Sequence, residues 1–151
     1  MPSARNVIDT EGLLVRAVPF GETDVIATFL TEAEGKLGAM IRNGRKPSKR
    51  LEGVLDPFHT LALRLDDRGK ELCVLREARI VKVRTALASD LNALDAAGKS
   101  LRWARHLCPP RIKEARAWEI VNSLLDELNR SPEGASDALL AKTGLDLLSA
   151  V

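Results

Sequence analysis

Tyrosine is absent from this sequence, and the other aromatic side chains are few: Phe20, Phe29, Phe58, Trp103 and Trp118. Surfaces that hold nucleic-acid bases by stacking display aromatics along a sheet, so strong base capture is not expected. Cysteine is scarce as well. Cys73 and Cys108 are 35 positions apart, and neither has a C-x-x-C partner. That spacing excludes a disulfide scaffold and argues against zinc, even with His59 and His106 counted as ligands. Two reduced, buried thiols and no metal are expected. Neither histidine stands in a nucleophile motif, and no serine lies in a G-x-S-x-G turn. Long apolar runs are missing too. Met1–Phe20 mixes Arg5, Asp9, Glu11 and Arg16 with its apolar residues, unlike a signal peptide or a spanning helix. These absences predict a cytoplasmic, non-enzymatic protein without a cofactor.

What is present suits one small domain with a helical extension: 151 residues, 45% of them hydrophobic and 29% charged. Net charge is only +2, but it is unevenly spread. Residues 1–84 carry 15 Lys/Arg against 12 Asp/Glu, and residues 85–151 carry 8 against 9. The first part has strand character. Val7–Val18 is β-rich and stops at Pro19-Phe20-Gly21, and Val25–Thr31 is apolar on both faces. Lys36–Arg42 alternates, with Leu37, Ala39 and Ile41 on one face. Leu61, Leu63 and Leu65 mark a fourth strand. A polar turn, Asp66–Lys70, leads to a fifth over Leu72–Val83. So small a sheet hides its edges by closing, which predicts a five-stranded antiparallel barrel over residues 1–84.

After Arg84 the period changes to three and four. Leu87, Leu91, Leu94, Ala97, Leu101, Ala104 and Cys108 form one helical stripe. Pro109-Pro110 ends it, and Pro110 is placed to open the next helix. Ala115, Trp118, Val121, Leu125 and Leu128 form a second stripe, and Ala138–Leu148 a weaker third, interrupted by Gly144. Residues 85–151 therefore read as a small helical domain, with Trp103 and Trp118 in its packing.

The most specific chemical feature is Arg42-Asn-Gly-Arg-Lys-Pro-Ser-Lys-Arg50, with five cations in nine residues and no acid. Gly44, Pro47 and Ser48 make it a loop. Long cationic side chains on a loop reach phosphates and release counterions. A solvated flexible loop has the same composition, so composition alone divides evenly between the two. Gly98-Lys99-Ser100 lacks the earlier glycine of a phosphate-binding loop, since position 93 is alanine, and it falls within a helical stripe. Asp66-Asp67 are neighbours in a turn, where their side chains diverge, so they are not an acid–base pair. Phe20 is the best stacking candidate.

Several segments together resemble the bacterial recombination mediator family RecO. They are Glu11-Gly-Leu-Leu-Val-Arg-Ala-Val-Pro-Phe-Gly-Glu-Thr-Asp24, Phe29-Leu-Thr-Glu-Ala-Glu-Gly-Lys-Leu37, the basic loop, Leu55-Asp-Pro-Phe58 and Arg76-Glu-Ala-Arg-Ile80. The likeness covers residues 8–84 closely and the helices loosely. It implies an α+β protein with an N-terminal oligonucleotide/oligosaccharide-binding (OB) barrel and a following helical domain. It also implies binding of single- and double-stranded DNA, strand annealing, and loading of recombinase onto strands coated by single-strand-binding protein. RecR is the implied partner and the nucleoid the implied location. Family members are usually longer, with a larger helical domain that often carries a four-cysteine zinc motif. No such motif is present here, so a shortened relative or a fragment is expected, and docking of single-strand-binding protein is the weaker implication.

The candidate DNA contacts are Arg42, Arg45, Lys46, Lys49 and Arg50, with Arg16 and Lys36 behind them. Replacing Arg45, Lys46, Lys49 and Arg50 by Ala is expected to flatten the salt dependence of binding and leave the fold intact. A barrel that recruits a protein partner without strong DNA binding, or one that binds RNA, are the alternative readings.

Overall fold

The computed structural model describes residues 6–151. Residues 1–5 lie outside the described residues, and with them Arg5, one of the charges counted against a signal peptide. Five strands come first: β1 (Asn6–Phe20), β2 (Asp24–Thr31), β3 (Gly35–Ile41), β4 (Thr60–Asp67) and β5 (Leu72–Lys82). They close into a barrel in the order β1-β2-β3-β5-β4. β1 is long enough to serve two neighbours. Its first half pairs with β4 and its second half with β2, with Gly12 paired on both sides. The ladder to β2 is irregular between Leu14 and Arg16, where β1 bends to follow the wall.

One expectation fails on parity. β3 and β5 run parallel, through Gly38↔Leu72, Ala39↔Cys73 and Met40↔Val74. A closed ring with an odd number of strands cannot alternate direction throughout. The chain crosses from β3 to β4 through residues 42–59, which sets β4 beside β1. The β4–β5 hairpin then delivers β5 to β3 pointing the same way. The architecture is an α+β fold with an OB-type barrel, but its sheet is mixed and not wholly antiparallel.

Alternation decides the interior. Leu37, Ala39 and Ile41 point inward with Phe29, Leu61, Leu65 and Cys73, and Leu51 and Val54 of the crossover join the same core. β2 is apolar on both faces because Phe29 faces the barrel interior while Leu30 is buried under the helices. β1 extends through Phe20, beyond the predicted stop, and the turn is Gly21–Thr23. Asp66 and Asp67 are the end of β4, not a turn, and they do diverge. Asp66 is buried with Arg76 Nε at 3.3 Å, and Asp67 Oδ2 accepts from Arg111 Nη2 at 2.7 Å.

Three helices follow: α1 (Leu91–Leu107), α2 (Ala115–Arg130) and α3 (Asp137–Ala150). Asp90 caps α1 by accepting from Ala93 N, and Ser136 caps α3 by accepting from Leu139 N. Their core joins Ala97, Leu101, Trp118, Val121, Leu125, Leu128 and Leu147 to Leu13, Leu30 and Phe58 of the barrel region. Leu87 belongs to a short 3₁₀ turn, and Leu91 at the start of α1 is 84% exposed, so the first stripe is shorter than its spacing predicts. Gly144 does not interrupt α3. A Cβ there would stand 3.0 Å from Cζ3 of Trp103, so the glycine makes room for the indole.

Pro110 opens no helix. It forms a parallel bridge with Lys36, and Arg111 N donates to Lys36 O at 2.7 Å. Residues 109–112 thus run as a strap along β3. Arg84 ties the helices to the barrel from beneath. Its buried guanidinium donates to Phe58 O at 2.8 Å, Asn122 Oδ1 at 3.1 Å and Asp126 Oδ1 at 2.9 Å.

Candidate nucleic-acid interface

The basic loop begins where β3 ends. Asn43 adopts φ 59°, and its N–H donates to Asp24 Oδ1 at 2.9 Å. That hydrogen bond is the main reason the Asp24 carboxyl is held below its ordinary value. Burial opposes it, and the Thr23 hydroxyl and the Arg42 charge assist. Arg45 N donates to Thr23 O at 3.0 Å, and its guanidinium to Gly21 O, so the loop lies against the β1–β2 turn. Arg50 donates to Arg76 O at 3.2 Å and Arg42 O at 3.3 Å. Ser48 Oγ accepts from Leu51 N at 3.3 Å, and Leu51 anchors the loop in the barrel core.

The five loop cations are therefore not equivalent. All are exposed, but Arg45 and Arg50 also hold the loop's shape. Replacing them changes structure as well as charge. Among the described residues, the ammonium groups of Lys46 and Lys49 make no ion pair or hydrogen bond. Their charge is available to a ligand.

Arg16 and Lys36 do not join the loop. They line a separate groove of about 690 Å³ between the outer face of the barrel and the end of α1, together with Lys70, Arg105, His106 and Arg111. Two of these cations are committed. Lys36 Nζ donates to Arg105 O at 2.7 Å, satisfying a carbonyl at the negative end of α1. Arg111 donates to Asp67, which lowers the carboxyl of Asp67, and its Nη1 lies 3.4 Å from Cys73 Sγ. Arg16, Lys70 and Arg105 keep their charge toward the groove. Sequence reasoning passed over Lys70, Arg105 and Arg111. Lys70 lies in the β4–β5 turn, which an OB barrel commonly uses for ligands; the other two carry no local signal, because only folding brings the end of α1 to β3.

Cys73 and Cys108 are both buried, and burial pushes both thiols up. Among the described residues no group of three or more His, Cys, Asp or Glu side chains converges as a metal site. No helix among them is long and apolar enough to cross a membrane.

Residues 6–84, the barrel and the link to the helices, match the family described as "Recombination protein O N terminal". The chain is 33% identical over 122 residues to the DNA repair protein RecO of Anaeromyxobacter sp. (strain K), covering 80% of this chain and 48% of that protein. To the protein of the same name from Geobacter sulfurreducens it is 29% identical over 130 residues, 86% of this chain and 53% of the relative. To that of Myxococcus xanthus it is 27% identical over 131 residues, 87% and 54%. The chain spans about half the length of these curated relatives. With a matching N-terminal region that takes up more than half of its residues, on an OB-type barrel with the basic loop between β3 and β4, the chain belongs to the RecO family of recombination proteins.

Proposed function

We propose that this chain binds single- and double-stranded DNA and anneals complementary strands in recombinational repair, with no bond made or broken. The observation that carries the reading is the loop Arg42–Arg50 between β3 and β4, whose five cations are exposed and in which Lys46 and Lys49 are unpaired among the described residues. Cations so placed neutralise phosphates of either strand without reading sequence. Two strands brought to one cationic rim repel each other less, and their bases are left to pair.

In this reading residues 1–84 are the DNA-binding barrel and residues 85–151 a helical domain that braces it. Arg42, Lys46 and Lys49 make the loop's direct contacts, while Arg45 and Arg50 shape it and add charge. Arg16 is a second contact, on the groove side. Lys36 serves chiefly to cap α1. RecR is the protein partner, single-strand-binding protein a further one, and the nucleoid of the cytoplasm the place of action.

The test is the salt dependence of single-strand binding. If about four loop cations touch the strand, log K falls with log salt at a slope near −3, from about −0.7 per contact. Lys46→Ala/Lys49→Ala removes the two unpaired charges and is expected to flatten the slope by about 1.4 with no change in melting temperature. An unchanged slope would remove the loop from the interface.

A further inference from the structure

Helix α3 is apolar on two sides, and the rest of the described chain covers one of them. Leu139, Leu140, Thr143 and Leu147 turn toward α1 and α2, where Thr143 and Leu147 are buried and Thr143 Oγ1 donates to Leu139 O at 2.9 Å. Ala138, Ala141, Leu145 and Leu148 recur at spacings of three, four and three, which sets them in one line on another side of the helix. All four are exposed, Leu145 by 65% and Leu148 by 59%. A helix with apolar residues around so much of its circumference is normally enclosed.

The strip has defined margins. Gly144 admits the partly exposed Trp103 indole, which edges the strip on one side. Lys142 and Asp146, of opposite charge, edge it on the other. The strip itself carries no charge, so it offers nothing to a phosphate, and a convex helix face cannot enclose a small molecule. A second helix fits it, because the line has the a/d spacing of a two-helix seam. The order of sizes is also self-complementary. Alanines occupy the N-terminal half of the line and leucines the C-terminal half. When two copies of α3 pack antiparallel about a two-fold axis midway between Ala141 and Leu145, Ala138 of each meets Leu148 of the other, and Ala141 meets Leu145. Each layer then holds one small and one large side chain, so the layers interdigitate at equal volume. A parallel pair would set leucine on leucine at one end and alanine on alanine at the other, leaving a gap. The Lys142 flank of the antiparallel pair gathers two ammonium and two carboxylate groups, with no net charge.

We propose that α3 is a self-association surface, pairing antiparallel with α3 of a second copy of this chain. Over the roughly 15 Å from Ala138 to Leu148, such a pair buries on the order of 400 Å² per copy, about half of what a stable complex buries per partner. The pair is therefore weak and reversible, with a dissociation constant on the order of 100 μM. It needs no nucleic acid and is independent of the DNA-binding reading.

The experiment is sedimentation equilibrium of the full chain without DNA, from tenfold below that constant to severalfold above it. The average mass of the wild type is expected to rise from one chain toward two. Leu145→Glu and Leu148→Glu, each checked for an unchanged melting transition at low concentration, are expected to stay at one chain. Leu91→Glu alters an apolar side chain of α1 that is 84% exposed and off the strip; this control is expected to associate like the wild type. Lys142→Cys and Ser149→Cys read the register, since Cys73 and Cys108 are buried. The antiparallel pair holds the two 142 positions together and sets the two 149 positions about 18 Å apart along the axis. A short bismaleimide should therefore join Lys142→Cys to its copy and leave Ser149→Cys unjoined. A wild type that stays at one chain at every concentration would overturn the proposal and leave the strip to a helix of another protein. Association that survives both Glu substitutions, association lost in Leu91→Glu, or equal cross-linking at the two cysteine positions would each overturn it as well.

Discussion

Replacing Arg84 with Met keeps most of its aliphatic volume and removes its three side-chain hydrogen bonds. The side chain is only 1% exposed. Its largest loss is at Phe58 O, a carbonyl left without its donor beneath the helices, at about 2 kcal/mol for an unsatisfied buried acceptor. Asn122 Oδ1 still accepts from Thr60 Oγ1, and Asp126 is 37% exposed and keeps Lys82 at 3.0 Å. These two together add about 1 kcal/mol, discounted because water reaches the carboxylate. The total of about 3 kcal/mol corresponds to a melting temperature lower by about 6–12 °C for a chain of this size. Acid should narrow the gap. Burial would raise the Asp126 carboxyl, but the hydrogen bonds from Lys82 and Arg84 outweigh it and hold it below the ordinary 3.8. A depressed carboxyl contributes stability above its unfolded value and loses it as pH falls through its folded one. Urea titrations near neutrality and below pH about 4 should therefore show a smaller difference between wild type and Arg84→Met in acid. The exposed pair Arg64–Asp9, with side chains 51% and 62% accessible, is the control, and Arg64→Met should leave melting unchanged. Arg84→Met melting with the wild type, or Arg64→Met melting as low as Arg84→Met, would refute the assignment of Arg84 as the barrel–helix clamp.

The strap along β3 predicts a sharp contrast between two glycines. Gly35, at φ +69°, would carry a Cβ 1.8 Å from Ile112 O, whereas Gly21, at φ +64°, has nothing within 4 Å. Gly35→Ala should cost about 3 kcal/mol or more in urea unfolding, and Gly21→Ala about 1 kcal/mol. For the thiols, a disulfide reagent should modify Cys73 and Cys108 rapidly only after unfolding, since both are buried with raised pKa. A chelator should leave the melting temperature unchanged, and stoichiometric zinc in the purified protein would contradict the reading of both cysteines.

Strand alternation made most of the barrel legible, because Leu37, Ala39 and Ile41 or Leu61, Leu63 and Leu65 have one face to bury and period two shows it. The double-sided β2 was legible as buried, but not what buries Leu30. The parallel β3–β5 seam was hidden from local pattern and follows only from closing an odd number of strands. Pro110 reads as a helix opener by position, yet the backbone of β3 offered it a bridge, and tertiary pairing prevailed over local preference. Among the candidate contacts, the basic loop was visible because its cations are contiguous. Sequence could not divide them into those that hold the loop and those that are unpaired. Lys36 looked like an exposed strand cation, and its role at the end of α1 depends on a residue 69 positions away.

Cations on the barrel are proposed to bring complementary strands together. The most direct test is the annealing rate of complementary oligonucleotides labelled for energy transfer, measured against protein concentration without ATP. At low salt the rate should rise above the protein-free control. It should fall back as salt passes the range where the Debye length is about 8 Å, and Lys46→Ala/Lys49→Ala should weaken the gain. Rates that never exceed the control, in a preparation that still binds DNA, would contradict the account and leave the barrel as a surface that recruits a partner.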